Sequence, residues 1–337
     1  MSDVVRAAVL GAGAWGTALG AQLAQKGHRV TLWSYERDVA ESINRTHVNP
    51  YLQGISLPSG LTAETDLVRA VSGAGLVVSA SPSQFVREVT GSAATHLDPD
   101  ATIVSASKGI ELNTLLRMDE VLAETLPEGL ARRLCVLSGP SFAQEVASGL
   151  PTAVVIASRD EASAVRARSL FQTATFRVYT NADVIGVELG GALKNVIALA
   201  AGTSAGLGFG HNTTAALITR GLAEITRLGL AVGAEKATFY GLAGLGDLVL
   251  TCTGSLSRNR TVGYRLGQGE PLEKVLAEMT AVAEGVLTTR AAHELSRRHR
   301  VEMPITEQMY AILYEGRAPS EALRALMTRD PKPEEWS

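Results

Sequence analysis

Cysteine is scarce in this chain of 337 residues, which holds two, Cys135 and Cys252. At most one disulfide could form, so the count points to a reducing compartment rather than a disulfide framework. The six histidines form no pair with metal-ligand spacing, and no metal site is expected. An excess of one charge is also lacking. With 31 basic and 34 acidic side chains the net charge is −3, which offers no broad surface for nucleic acid or an anionic membrane and makes any anion site a local arrangement. No uninterrupted apolar run reaches the ~20 residues that cross a bilayer. Val187–Gly210 comes nearest, and its glycines and Lys194 argue for burial inside protein rather than membrane insertion. No signal peptide is visible, because the apolar run from Ala7 leads straight into a glycine turn. Repeats, low-complexity tracts and long linkers are missing too, and the tail Asp330–Ser337 reads as loose. What is there is 46% hydrophobic and 19% charged, the composition of a soluble globular chain long enough for about two domains.

The N-terminus carries the clearest pattern. An apolar, β-branched run at Val4–Leu10 is followed at once by GAGAWG, a helical pattern over Ala14–Lys26 and a second strand, Arg29–Trp33. In that βαβ setting the spacing Gly11-x-Gly13-x-x-Gly16 has mechanical meaning. Gly11 permits the tight turn, Gly13 lets the backbone approach a pyrophosphate, and Gly16 allows close helix packing. The helix N-terminus offers free N–H groups and a positive dipole end to that anion. A dinucleotide site follows. After Trp33 come Ser34 and Tyr35, and the first acid, Glu36, arrives late beside Arg37. Without a clear ribose-binding acid, NAD and NADP both stay open; otherwise Glu36 and Arg37 simply open the next helix.

Further strands are expected at Leu76–Ser81, Thr102–Ala106, Leu134–Leu137, Ala153–Ala157 and Phe176–Tyr179, with helices between most of them, including Ser83–Ala93 and Leu115–Thr125. Near-continuous apolar strands alternating with helices predict a doubly wound, mostly parallel sheet whose ligands collect at the carboxyl ends of the strands. Ser81-Pro82-Ser83, Ser107-Lys108-Gly109 and Ser138-Gly139-Pro140-Ser141 fall there. Lys108 is a cation at that edge, and Ser141 is either a helix cap or an anion contact.

Beyond about residue 180 the strand signal stops, and an all-α second domain is expected over 181–337, after a dinucleotide-binding domain over 1–180. Its helices include Val187–Gly210, Thr213–Gly229, Leu272–Met279, Thr288–Arg298 and Glu307–Tyr314. The first sets Lys194 and Asn195 into an apolar surface, with Glu188 two turns earlier. Gly190 and Gly191 would cost roughly 1 kcal/mol each against alanine. Either they open space beside the Lys194 ammonium group, or they serve packing while Lys194 pairs with Glu188. Between the helices, GLAGLGDLVLTCTGSLSRNR (241–260) packs glycines around Asp247 and ends in Ser257, Arg258, Asn259 and Arg260, a cluster suited to phosphate.

Taken together these segments resemble a family. GAGAWGTAL, SKGIE, SGPSFAQEV, LGGALKN, GLAGLGDL and SRNR, spread over nearly the whole chain, resemble the bacterial-type NAD(P)-dependent sn-glycerol-3-phosphate dehydrogenases. The resemblance implies a homodimeric cytoplasmic oxidoreductase that interconverts glycerol 3-phosphate and dihydroxyacetone phosphate with NAD or NADP and feeds phospholipid synthesis. A hydroxy-acid or imine reductase of the same plan is the alternative. By position it implies Lys194 as proton acceptor, Lys108 touching cofactor and substrate, and Gly139 and Ser141 lining the substrate site. Asp247, Ser257, Arg258 and Asn259 would hold the substrate, and Ala14, Trp15, Tyr35, Ala143, Arg258, Val282 and Glu284 would contact the cofactor. The family often has a basic residue where Tyr35 stands. The chemistry is coherent: a lysine exchanges the proton if apolar burial and a second cation, here Lys108, bring its pKa toward neutrality, and Asp247 orients it.

Overall fold

The computed structural model describes residues 4–279, 283–331 and 333–334, so the expectation of a loose tail falls partly outside the described residues. The chain divides into two compact units, one of residues up to Glu111 with Leu116–Glu188, the other of Leu112–Leu115 with residues from Leu189 onward.

Among the described residues the first unit contains eight strands: β1 (Arg6–Leu10), β2 (Arg29–Trp33), β3 (Leu61–Glu64), β4 (Leu76–Ser79), β5 (Thr102–Ser105), β6 (Cys135–Ser138), β7 (Thr152–Ala157) and β8 (Phe176–Asn181). They form one sheet in the order β3-β2-β1-β4-β5-β6-β7-β8. Every pairing is parallel except β6 with β7. The near-continuous apolar strands have a direct cause. Ala7 and Val9 of β1 face one core cluster with Leu76 and Val78 of β4, while Ala8 and Leu10 face a second with Val77 and Ile103. Both sheet faces are covered, so both side-chain sets must be apolar. The strand order reverses between β1 and β4, which creates the crevice where such sheets bind ligands.

The helices that position functional side chains here are α1 (Ala14–Gln25), α2 (Arg37–Thr46) and α3 (Ala143–Ala147), followed by α4 (Val184–Gly206) and α5 (His211–Ala231). Then come α6 (Asp247–Thr253), α7 (Arg258–Gly267), α8 (Glu284–His299), α9 (Pro304–Tyr314) and α10 (Pro319–Met327). Helix α4 is long and apolar enough to cross a membrane, but 94% of its most apolar window is buried inside the protein.

Two helical expectations change. The helix expected over Leu115–Thr125 begins at Met118, because Leu115 holds a left-handed backbone (φ 62°) that no α-helix accepts. The helix expected over Val187–Gly210 ends at Gly206, and Gly208 turns the chain away with φ 87°. Both cysteines are free and buried.

In the second unit α4 and α7 touch backbone to backbone. A Cβ on Gly202 would lie 2.0 Å from the Arg260 carbonyl oxygen, and one on Gly206 would lie 2.1 Å from that of Tyr264. From the other side, Gly263 and Gly267 meet the carbonyls of Leu199 and Thr203 at 2.0 and 2.2 Å. Two glycine pairs spaced by four residues thus dock two helices at a distance no side chain would permit.

Candidate active site

The glycine turn after β1 can be tested as a dinucleotide cradle. Gly11 has φ 125°, and a Cβ there would lie 2.8 Å from the Ala80 carbonyl oxygen, just past β4 at the strand-order reversal. Gly16 packs α1 onto that turn, since its Cβ would lie 2.0 Å from the Gly11 carbonyl oxygen. Gly13 is the N-cap of α1, is exposed, and has nothing within 4 Å of its Cβ position. Two glycines are therefore demanded by packing, while the third keeps space open at the N-terminus of α1. That is the geometry a pyrophosphate needs, and the residues fit an NAD(P) cofactor.

Ala14 and Trp15 follow on α1, both half-buried, and the Trp15 indole N–H donates to the Ala106 carbonyl at 3.2 Å. Tyr35 is 88% exposed past the end of β2. Ser34 is buried and donates to the Glu36 carbonyl, while the Glu36 carboxylate accepts from Tyr51, whose pKa it pushes up to about 12. Arg37 is exposed and pairs with Glu41.

At the carboxyl ends of β5 and β6, Lys108 and Gly139 come together. The half-buried Lys108 ammonium group donates to the Gly139 carbonyl at 3.2 Å. Gly139 has φ 129°, and a Cβ there would press to 3.0 Å from the Val154 Cα. Ser141 donates to the same Gly139 carbonyl at 2.9 Å. It is not the cap expected for the next helix: the N-cap of α3 is Phe142, without a side-chain hydrogen bond, and Ala143 opens the helix, half-buried.

In the helical unit Lys194 and Asp247 form a buried ion pair, their side chains 9% and 1% exposed. Thr251, one turn beyond Asp247 on α6, accepts from the same ammonium group at 2.9 Å and donates to the Asp247 carbonyl at 2.6 Å. Thr251 escaped the sequence reading, although its i,i+4 spacing from Asp247 was a usable signal. Lys194 therefore does not pair with Glu188. Glu188 is buried near Asp119 and Arg117, and burial raises its carboxyl pKa well above the usual range. Its Oε1 lacks a hydrogen-bond partner among the described residues. The proposed open space beside Lys194 is also corrected at Gly190. A Cβ there would lie 2.6 Å from the Ala243 carbonyl oxygen, so this glycine serves backbone packing of α4 against the Ala243–Gly244 turn. Beside this set, burial pushes the Cys252 thiol up to about 12, which rules it out as a thiolate nucleophile near neutrality.

The 257–259 cluster opens α7. Ser257 is buried as its N-cap, its hydroxyl accepting from the Arg260 amide at 3.2 Å. Asn259 is buried, and its Oδ1 accepts from the Gly285 amide at 3.0 Å. A Cβ on Gly285 would press on both Asn259 Oδ1 (2.7 Å) and the Asn195 carbonyl (2.9 Å), so α4, α7 and α8 converge at one point next to Lys194. Arg258 reaches solvent. Desolvation by the protein around it lowers its pKa and the Glu284 carboxylate opposes this; the guanidinium remains charged throughout the working range. Val282 lies outside the described residues.

Comparison with known proteins shows the family to which the chain belongs. Residues 6–164 match the sequence profile of the NAD-dependent glycerol-3-phosphate dehydrogenase N-terminus, and residues 183–324 match that of its C-terminus. The chain is 58% identical over 332 residues to the glycerol-3-phosphate dehydrogenase (NAD(P)+) of Geobacter sulfurreducens, covering 98% of this chain and 99% of that one. With the enzyme of the same name from Geobacter metallireducens it shares 57% over 327 residues, 97% of this chain and 98% of the other. The crystal structure of glycerol-3-phosphate dehydrogenase from Coxiella burnetii superposes with a TM-score of 0.92 at 41% identity, covering 97% of this chain and 99% of that one. The full-length match does not favour the hydroxy-acid or imine alternative, and the chain belongs to the NAD-dependent glycerol-3-phosphate dehydrogenase family.

Proposed function

We propose that this chain interconverts sn-glycerol 3-phosphate and dihydroxyacetone phosphate with NAD or NADP, and that Lys194 moves the proton. The observation that carries the reading is the buried Lys194–Asp247–Thr251 set in a chain whose Gly11–Gly16 turn suits a dinucleotide. When bound, the dinucleotide supplies or takes the hydride at nicotinamide C4. In the reductive direction Lys194 gives a proton to the oxygen that gains charge, and in the oxidative direction neutral Lys194 takes the hydroxyl proton. Asp247 and Thr251 hold Nζ in one direction, so that its proton meets the substrate oxygen without reorientation. Arg258 and Asn259 anchor the substrate phosphate, with Ser257 fixing the turn that presents them. Lys108, Gly139 and Ser141 contact the substrate, and Lys108 also contacts the cofactor. Gly11, Gly13, Ala14, Trp15, Gly16, Tyr35, Ala143, Arg258, Val282 and Glu284 hold the cofactor. On this reading residues 1–180 are the dinucleotide-binding domain and residues 181–337 the substrate domain of a cytoplasmic homodimer that supplies glycerol 3-phosphate to phospholipid synthesis.

The deciding experiment follows NADH and NADPH oxidation with dihydroxyacetone phosphate. Lys194→Ala should lower kcat by ~100-fold or more while NADH binding is retained. Near-normal turnover by that variant, or no oxidation by the unmodified protein, refutes the assignment. Arg258→Ala should mainly raise KM for the phosphorylated substrate, by roughly 10- to 100-fold for one lost charge-assisted contact. An unmoved KM places the phosphate elsewhere.

A further inference from the structure

A cavity of about 200 Å³ opens among α5, α9 and α10 in the helical unit, lined by none of the residues assigned above to catalysis or cofactor binding. Three half-buried guanidinium groups converge on it: Arg220 and Arg227 from α5, and Arg329 just past α10. Burial lowers the pKa of Arg227, and the charges of Arg220 and Arg329 lower it further against the opposing carboxylates of Glu224 and Glu302. Each also has protein partners. Arg220 donates to the Glu334 carbonyl at 3.0 Å, Arg227 donates to the Glu302 carbonyl at 2.9 Å, and Arg329 pairs with the Glu302 carboxylate. The acid in the cavity wall, Glu224, is turned to the start of α9, where it accepts from the amides of Ile305 and Thr306. Three cations drawn together around a concave space, against one carboxylate paired with Arg329, give a positive potential that apolar walls focus.

The opposite wall is apolar. Leu217, Ile305, Leu323 and Leu326 line this cavity and also a slot of about 30 Å³ that continues between α4, α9 and α10. The slot is bordered by Ser204, whose buried hydroxyl has no hydrogen-bond partner among the described residues. A space of this size is below the roughly 300–1,000 Å³ of drug-sized pockets, so it excludes a dinucleotide and admits a short chain.

We propose that this cavity is a second binding site, for a short-chain aliphatic anion whose charged head meets Arg220, Arg227 and Arg329 and whose tail lies along Leu217, Ile305, Leu323 and Leu326. Head and tail are both required: phosphate without a chain lacks the apolar wall, and a chain without charge lacks the guanidinium groups. The site belongs to the helical unit alone and stands independently of the catalytic assignment.

Titration calorimetry of the full chain with n-hexyl phosphate tests it, with inorganic phosphate and 1-hexanol as the two half-ligands. Hexyl phosphate should saturate one such site and bind at least about tenfold more tightly than either half-ligand. The double variant Arg227→Gln/Arg329→Gln should weaken it at least about tenfold. Leu326→Trp, which keeps the cations and fills the cavity, should do the same and carries the test if the double variant fails to fold. Far-UV circular dichroism and a cooperative thermal transition report that each variant is folded. Arg258→Ala should leave this binding unchanged. No saturable binding overturns the proposal, as does loss of binding in Arg258→Ala with retention in Leu326→Trp, which would assign hexyl phosphate to the substrate phosphate site instead.

Discussion

Lys194 is held by two oxygens of different kinds, the Asp247 carboxylate and the Thr251 hydroxyl, both buried on one turn of α6. The carboxylate balances the charge and the hydroxyl sets the direction, since Thr251 is itself fixed by donating to the Asp247 carbonyl. Thr251→Val keeps the shape and removes this constraint. A hydrogen bond to a charged group is worth roughly 1.5–3 kcal/mol, so kcat should fall about tenfold or more with KM little changed, and Thr251→Ser should restore most of it. A Ser variant as slow as Val would reduce Thr251 to a packing residue. Asp247 was legible in the sequence because it stands among glycines in a family-specific string. Thr251 was not, because threonine one helical turn past an acid is commonplace. Gly190 was misread for a related reason: glycine in a helix reports that something comes close, without saying whether it is a ligand or another stretch of backbone. Here it is the Ala243 carbonyl.

Helices and strands show the same division between what a local pattern carries and what only packing decides. Strands β4 to β7 were legible because burial on both sheet faces writes an unbroken apolar run, and the edge strand β8 because buried Phe176 and Val178 alternate with exposed Arg177 and Tyr179. Strand β3, Leu61–Glu64, escaped notice: it lies at the sheet edge with Thr62 exposed and Glu64 half-buried, so no such run exists. The contact of α4 with α7 was equally hidden, since Gly202, Gly206, Gly263 and Gly267 are unremarkable until the two helices are set side by side. That contact places the start of α7, with Asn259 tied to Gly285, beside the Asn195 carbonyl of α4. Gly263→Ala would drive a methyl group to 2.0 Å from the Leu199 carbonyl oxygen, and backbone cannot swing aside as a side chain can. We expect a loss of about 1–3 kcal/mol or more in urea unfolding, together with a raised KM for dihydroxyacetone phosphate as Arg258 and Asn259 shift. Gly91→Ala is the matched control. It is helical with nothing within 4 Å of the Cβ position, so it should be neutral or stabilising by up to about 1 kcal/mol. If the two variants unfold alike, the α4–α7 contact is softer than its geometry implies.

For the molecule as a whole, buried acids should be visible in how stability varies with pH. Each unit has an apolar interior, and each also holds an acid there, Glu188 in the sheet unit and Glu224 in the helical unit. Glu224 of α5 is 2% exposed and accepts from the Ile305 and Thr306 amides and the Thr306 hydroxyl, so a carboxyl group closes the N-terminal end of α9. Burial raises its pKa from 4.5 to about 7, against the opposing pull of those donors and of Arg227. Arg220 and Arg329 stand around the same cavity, and Glu302 pairs with the latter. Below pH 4.5 Glu224 is protonated in both folded and unfolded chains, and its contribution is fully present. As pH rises, the unfolded chain ionises first while the folded chain keeps its proton, so stability is lost progressively until pH passes about 7. The full swing is about 3 kcal/mol. Glu188, another buried acid with a raised pKa, slopes the same way from the sheet unit, so the test must be a difference. Glu224→Gln stays neutral at every pH and loses one acceptor, making it the less stable protein at pH 5. Between pH 5 and pH 8 the stability difference in denaturant unfolding should shift by about 2.5 kcal/mol in favour of Glu224→Gln, because only the unmodified chain meets the rising cost of ionising a buried carboxyl group. A gap of constant size across that range would mean that Glu224 keeps an ordinary carboxylate pKa, stabilised by the α9 amides and Arg227 strongly enough to cancel its burial.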